Sequence, residues 1–449
     1  MKTRNLIVFS IIALIVGISS CRDDFDFDAA SDNLSFSTDT LNLDTIFNHT
    51  NSQTYKLTIH NNQDKDVVIP RIYLTNGESS LFKINVDGMA GYDFENIAVR
   101  KDDSIFIFVE IGAGEVINNS LYEDEINFET TNANQHVKLL SYLEKAIFHT
   151  EDQPIGSQNW DSEWSHVIFG NQTAENLNIG PGTKVYFHNA ANLTINGSLN
   201  VVGNLDNKVI FRTDRMDDRS DSIPNTWGKI HLKPNSNSSI EYAIIKGGNR
   251  GLEVENADLD IKNSFVLNNE EFGIYSHGNL SNINGNNLVV NNSNQASIKI
   301  EGGNYDFRHC TIANFHNIGQ GAGDNVSLWV KGSNSGGFYN SIFYGRAMDA
   351  IYLEDASGNL NFNSNIIRGT APNNSTNGLD EDPMFVNSGF GANDLRLLQK
   401  EDSEIPGHAS ASNLNTETNS DILNISRTDN LNNLTPGAYQ VLVDPETLD

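Results

Sequence analysis

Cysteine is nearly absent, with two residues in 449, Cys21 and Cys310, so no disulfide framework can organise the chain. Basic residues are scarce: 29 Lys and Arg face 58 Asp and Glu, a formal charge of −29. Such an anion repels phosphates, which excludes non-specific nucleic-acid binding and disfavours polyanionic ligands wherever basic residues do not cluster. After the first 20 residues no stretch is apolar enough to cross a bilayer. No Ser-His-Asp order, Walker loop, zinc-ligand spacing or dinucleotide motif occurs. The length exceeds one ordinary domain, so two or more units are expected.

What is present is a repeat, written most plainly over Ile240–Gly369. Short alternating segments begin at Gly251, Gly273, Ser297, Ser327 and Ala350. Their first inward residues are Leu252, Ile274, Ile298, Leu328 and Ile351, spaced 22, 24, 30 and 23 apart. A second series of apolar triplets begins at Ala243, Ser264, Asn287, Cys310, Ser341 and Asn365. Two residues past each triplet stands Gly247, Asn268, Asn291, Asn314, Gly345 or Gly369. Only Gly and Asn, the residues that tolerate positive φ, fill that place, which predicts a left-handed bend once per turn. Strand alternation with a period of about 22–24 residues indicates a solenoid of β-coils.

The coils are expected to begin near Leu177 and to number eight or nine by Gly369, about 40 Å of stacked strands. Ile240, Ile261, Phe307, Phe338 and Phe362 form one predicted inner stack. Ile283 falls out of that register, which predicts a small bulge. Asn263, Asn286 and Asn340 are placed to ladder amide to amide. Cys310 takes the small inward position of Ala243 and Ser264, as a buried thiol rather than a nucleophile. Trp160 and Trp164 are expected to cap the first coil. The inserted loop Arg212–Thr226 offers Asp214, Asp217, Asp218 and Asp221 to calcium, but three interleaved arginines favour a solvated loop. Residues 34–148 show seven short candidate strands separated by Asn- and Gly-containing turns, the pattern of an immunoglobulin-like sandwich.

Lys2 and Arg4, the apolar run Leu6–Ile18 and Ile18-Ser-Ser-Cys21 resemble a bacterial lipoprotein signal in which Cys21 becomes the lipidated first residue. Lipidation would leave Cys310 without a disulfide partner. The acidic run Arg22–Asp28 is similar to the surface-export signal of Bacteroidota lipoproteins. Leu34–Leu41 with Asp102–Glu110 resembles the N-terminal sandwich that precedes β-helices in that group. Trp227-Gly-Lys-Ile230, Ile240–Ile245, Asp382-Pro-Met-Phe-Val386 and Pro436-Gly-Ala-Tyr439 resemble right-handed parallel β-helix proteins of the pectate-lyase-like superfamily. The resemblance implies an all-β chain: signal peptide 1–20, acidic tether 21–33, immunoglobulin-like β-sandwich 34–148, right-handed parallel β-helix with an N-terminal cap 149–369, and capping region 370–449. It implies an outer-membrane, lipid-anchored, surface-exposed protein. It does not specify a function, because that superfamily hosts several. Asp39-Thr-Leu41, Asp44-Thr-Ile46, Asp103-Ser-Ile105 and Asp221-Ser-Ile223 resemble Bacteroidota O-glycosylation sites.

Alternation assigns the residues one side of the coil shows to solvent. One column is His231, Glu253, Tyr275, Lys299, Trp329 and Tyr352; the next is Lys233, Glu255, His277, Glu301, Lys331 and Glu354. Flat aromatics stack on sugar rings, and charged neighbours bind hydroxyls. The candidate binding residues are therefore His231, Glu253, Glu255, Tyr275, His277, Lys299, Trp329 and Tyr352, for a glycan or a surface protein. The competing reading is an exposed strand face with paired charges. Glu253-Val-Glu255 followed by Lys262 is loosely similar to the calcium-binding Glu-x-Glu and nearby base of chondroitinase B-like lyases. That keeps a lyase acting on an acidic glycan, with calcium, as an alternative. However, Tyr275 and His277 stand where such a lyase would want an arginine. No catalytic residue and no metal ligand is assigned, and a purely structural scaffold is the third reading.

Overall fold

The computed structural model describes residues 28–30, 34–116, 118–132, 134–152, 154–217, 219–316, 325–389 and 391–447, excepting the side chains of 333 and 334. Cys21, the signal segment, most of the acidic tether and Asp218 lie outside the described residues. Contacts divide the chain into two compact units, Met1–Glu144 and Lys145–Asp449. No helix among the described residues is long and apolar enough to cross a membrane.

The first unit is all-β, with one sheet of seven strands and one of five. Ser104–Ile111 shows why. Ile105, Ile107, Val109 and Ile111 are buried, while Phe106 and Phe108 between them are exposed. That period of two gives the strand one core face, and it pairs antiparallel with Tyr55–His60 and Phe82–Val86. Leu57, Phe82 and Ile107 from this sheet pack with Ile72, Phe128 and Leu139 from the other. The seven predicted strands are all present. Thr40–Asn42, Ile46–Phe47, Met89–Gly91 and Asp93–Val99 are additional.

The second unit consists of long parallel sheets. Ten strands from Ala146–His149 to Ile366–Ile367 form one sheet in unbroken chain order, each pairing with the strand one coil later. The remaining strands of the coils form a thirteen-stranded set. Long strands such as Ala296–Arg308 and Ile351–Asn363 serve two faces of each coil and join them in that set. The expected inward residues stack in register, Leu252 on Ile274, Ile298, Leu328 and Ile351. Because each coil hydrogen-bonds its neighbours, buried backbone is satisfied even where the sequence is rich in Asn.

The structure corrects several sequence expectations. The stacked strands begin at Ala146, not near Leu177, and residues 145–148 belong to this unit rather than to the first. Ten rungs span about 43 Å. Trp160 is a core residue of the first coils, stacked 3.9 Å from buried His166. Trp164 instead lies under the Lys145 ammonium, 4.0 Å away. No bulge accommodates Ile283. It pairs with Leu259 and Tyr305, and Gly285 takes the stack position between Ile261 and Phe307. The Phe307 ring fills the space a Cβ on Gly285 would need, 2.3 Å away.

The predicted left-handed position holds at Gly247, Asn268 and Gly369, with φ of 84°, 55° and 81°, but not at Asn291, Asn314 and Gly345. A left-handed residue recurs in each turn directly before the inward triplet, at Tyr242, Asn263, Asn287, His309, Asn340 and Ser364, with φ between 49° and 55°; the third triplet therefore begins at Leu288, not Asn287. Asn291, Asn314 and Gly345 are strand residues. The amide ladder accordingly runs through Asn287, not Asn286. Asn287 Nδ2 donates to Asn263 Oδ1 at 2.9 Å, and Asn340 Nδ2 meets His309 Nε2 at 2.9 Å. Cys310 is fully buried, and desolvation pushes its thiol up to about 12, so it is no nucleophile.

The C-terminal region caps the coil only in part. Ser375–Thr376 and Leu379 add to the last coil. From Asp394 onward the chain returns along the outer side of the ten-stranded sheet. Leu395, Ile422, Ala438 and Tyr439 cover Leu267, Val289 and Ala313, while Leu397 and Ile405 cover Ile342 and Ile366. Fully buried Arg427 fastens this strap. Its guanidinium donates to Asn287 Oδ1 (2.7 Å) and to the carbonyls of Ser420 (2.7 Å), Thr418 (3.2 Å) and Gly437 (3.0 Å).

Candidate functional site

In a parallel in-register stack, residues at equivalent positions lie one strand spacing apart. The structure aligns both outward columns rung by rung. His231 pairs with Glu253, then Tyr275, Lys299, Trp329 and Tyr352 follow. Beside them Glu255, His277, Glu301, Lys331 and Glu354 follow the same register. All eight candidate binding residues thus share one face of the coil, but they form two chemically distinct ends.

The first end is charged. Glu253 Oε2 accepts from Lys229 at 2.7 Å and from Arg250 at 2.6 Å. Glu253 Oε1 faces His277 Nε2 at 3.1 Å and His231 Nε2 at 3.7 Å. Glu255 Oε2 meets His231 Nε2 at 3.0 Å and Lys233 Nζ at 2.7 Å. Burial alone would raise the Glu253 carboxyl, but Lys229 and Arg250 outweigh it and hold it at about 2. His231 is lowered, chiefly by burial and against the pull of Glu253, and so is held neutral. The nitrogens of His231 and His277 and a Glu255 oxygen lie within 4.8 Å of one another, a group able to hold a metal ion.

The second end is aromatic. The Lys299 ammonium sits 4.0 Å from the Trp329 ring, 5.1 Å from Phe272 and 5.4 Å from Tyr275, and is ion-paired to Glu301 at 2.7 Å. Tyr275 donates to Glu301 (2.8 Å) and Trp329 Nε1 to Glu354 (3.0 Å). Tyr352 lies 5.6 Å from Trp329, ring to ring, and is 48% exposed. Trp329 and Tyr352 line a cleft of about 950 Å³ together with Gln295, Met348, Asp349 and the turn Thr370–Asn373. Met348 is 82% exposed at its wall. Large rings flanked by amide and carboxylate groups in an open cleft are suited to a polar ligand with apolar faces.

Acid–base catalysis finds little support on this face. Lysine hydrogen bonds dominate the lowering at Glu255 and Glu354, and at Glu253 and Glu301 the cations overcome an opposing burial effect. None is held protonated as a general acid would be. Burial, then the Glu301 hydrogen bond, raises the Tyr275 hydroxyl, so it is no base at neutral pH. The described aspartates of the inserted loop are engaged separately: Asp214 with His188, Asp217 with Arg215, and Asp221 with Arg212 and Lys246. They form no calcium cage. A second cleft of about 580 Å³ lies between Asp260, Asn284 and Asp306 and the strap residues Asn415 and Glu417. Its cations are spent on its own carboxylates, Arg308 on Asp306 and Lys262 on Glu417, while Asp260 accepts from Asn284.

Lys229, Arg250, Phe272, Met348 and Asp349 were missed by the sequence reading. Lys229 and Arg250 lie on the stretches leading into the outward columns; Arg250 pairs with Phe272, and both share the parity of inward Leu252 and Ile274, so alternation would have placed them inside. Met348 and Asp349 lie in a loop, where no period applies.

No family model matches the chain, and no curated protein matches it. Among solved structures, the catalytic domain of a GH87 α-1,3-glucanase in complex with nigerose is similar over 70% of this chain and 76% of its own, at 10% identity and a TM-score of 0.25. A family 123 glycoside hydrolase from Clostridium perfringens matches 29% of this chain at 9% identity and a TM-score of 0.21. A protein of unknown function from Porphyromonas gingivalis W83 matches 31% at 10% identity and a TM-score of 0.18. The chain spans 30% and 58% of the length of these last two. At such scores none of these likenesses bears on function.

Proposed function

We propose that this chain is a non-catalytic surface lipoprotein whose coil face binds an extended carbohydrate at the Trp329–Tyr352 cleft. In this reading the second unit is a right-handed parallel β-helix, and the first is an immunoglobulin-like spacer. Cys21 carries the lipid, and the acidic tether displays the protein outward from an outer membrane. The observation that carries the binding assignment is the ladder Phe272, Tyr275, Trp329 and Tyr352. Its charged neighbours are paired with one another, while its last rings stay open beside a cleft of about 950 Å³. A sugar ring stacked on Tyr352 would share the cleft with the polar groups of Gln295, Asp349 and Asn373, which line the same walls.

The test is a glycan panel offered to the chain from Arg22 onward, with and without calcium, with ultraviolet absorbance followed throughout. Binding lost in Tyr352→Ala, with unchanged melting, is the expected result. New absorbance from unsaturated products, lost in Glu255→Ala or Lys299→Ala, would overturn the non-catalytic reading in favour of a lyase. No binding to any acidic or neutral glycan would overturn the carbohydrate reading and leave a protein partner or scaffold.

A further inference from the structure

The charged end of the face has a property that sugar binding does not need. His231, Glu253 with Glu255, and His277 come from three successive strands, Ile230–Leu232, Arg250–Glu255 and Phe272–His277. Parallel pairing fixes their spacing, so the donors converge because of the fold and not through a sequence motif. Both imidazoles present Nε2 to the same carboxylate oxygen, Glu253 Oε1, at 3.1 and 3.7 Å. Glu255 closes the group from the side, 3.0 Å from His231 Nε2. Tyr275 stacks on His277 at 4.8 Å and restrains its plane.

We infer that His231, His277 and Glu255, with Glu253 Oε1 as the fourth donor, bind one divalent transition-metal ion of the zinc class. Two imidazole nitrogens and two carboxylate oxygens are the donor set such ions take in tetrahedral geometry. Calcium, which takes six to eight oxygens, is poorly served by it. The donor atoms of His231, His277 and Glu255 lie within 4.8 Å of one another, and Glu253 Oε1 is 3.1 and 3.7 Å from the two imidazoles. All four side chains retain some access to solvent. The surrounding cations set the affinity. Lys229 and Arg250 hold Glu253 through the other oxygen, Oε2, and so orient Oε1 toward the imidazoles. Lys233 instead competes, because it holds the same Glu255 oxygen that meets His231. This site is separate from the aromatic cleft, and its test reads no glycan.

The experiment is calorimetric titration of the full chain with Zn²⁺, and with Co²⁺ followed by its visible absorption, which intensifies in a tetrahedral site. One equivalent is expected to bind, unaffected by excess Ca²⁺. His277→Gln and His231→Gln are each expected to weaken binding by about 100-fold or more. Their melting points without metal are read in parallel, so that a lost site is distinguished from a lost fold. Lys233→Met should tighten binding several-fold, a change that scattered surface histidines would not show. Unchanged Zn²⁺ affinity in His277→Gln would overturn the inference, and so would displacement by equimolar Ca²⁺. If a histidine variant failed to fold, the response of Lys233→Met would decide the matter on an otherwise complete site.

Discussion

Two outer sides of the same coil carry apolar residues, and the chain treats them differently. On the ten-stranded sheet, outward Leu267, Val289, Ala313, Ile342 and Ile366 are all buried, because residues 394–440 lie over them. On the face of the aromatic ladder nothing among the described residues covers Tyr352 or Met348, which are 48% and 82% exposed. Outward apolar side chains are therefore not a site in themselves. A side that the chain closes with its own strap is structural, and one left open beside a cleft is where a ligand can be sought. The covered side mixes aliphatic residues with partly buried rings such as Phe315, Tyr344 and Phe385 and is joined by buried Asn, His and Arg contacts, whereas the open side ends in exposed rings with charges paired at their margin.

Breaking the cover should have the largest effect on folding. Arg427→Ala removes a guanidinium that satisfies four oxygens and leaves those acceptors buried, costing about 3 kcal/mol or more. Urea unfolding should show the loss, and limited proteolysis should cut first between 394 and 440. A strap that stays protease-resistant in this variant would show that apolar cover alone holds it.

Acid should loosen the same side by a smaller amount. His309 is fully buried and its pKa is lowered well below the ordinary 6.5, first by desolvation and then by Arg427 and Arg308 nearby. A histidine depressed in the fold contributes stability that is complete above the unfolded value and is lost as pH falls below it. One proton is worth up to about 2 kcal/mol between pH 6.5 and 5. His149 and His166, brought to about 4 and about 3 mainly by burial, act in the same window but in the first coils. His309→Asn keeps a residue that tolerates the φ of 50° and removes the titration. Amide exchange in the strap should then lose part of its acid dependence, with the first coils unaffected. An unaltered pH profile in the strap would assign the effect elsewhere.

The period made one side of this contrast legible in the sequence and hid the other. Leu252, Ile274, Ile298, Leu328 and Ile351 recur at coil spacing, and the outward columns follow from them by alternation alone. The strap has no period. Its contacts join residues distant in the chain, such as Asn287 and Arg427, 140 positions apart, and nothing local marks such a pair. Asp93–Val99 was missed because Glu95 and Asn96 interrupt its alternation, with Asn96 at φ 56°. Gly285 was passed over for Ile283 because a stack of apolar residues was sought, while the ring of Phe307 fills the vacancy a glycine leaves. Of the site, the eight outward residues could be placed in columns. The loop residues Met348 and Asp349 and the partners Lys229 and Arg250 depend on three-dimensional neighbours that no spacing encodes.

The smallest effect on folding is expected on the open side, and it sharpens the contrast most. Tyr352 is half exposed, and its nearest aromatic neighbour is the tilted ring of Trp329. Its strand is held by backbone pairing to Val326–Tyr339, which the side chain does not influence. Surface substitutions without buried partners usually change stability within about 0.5 kcal/mol, so Tyr352→Ala should unfold at the parent's urea concentration. If the ring exists to stack on a sugar, the same change should weaken glycan binding about tenfold, the equivalent of about 1.4 kcal/mol. Loss of folding without loss of binding would invert the comparison and make Tyr352 a structural residue like those beneath the strap. Loss of binding alone, set beside an Arg427→Ala variant that unfolds early, would separate the two sides by experiment as the burial pattern separates them in the fold.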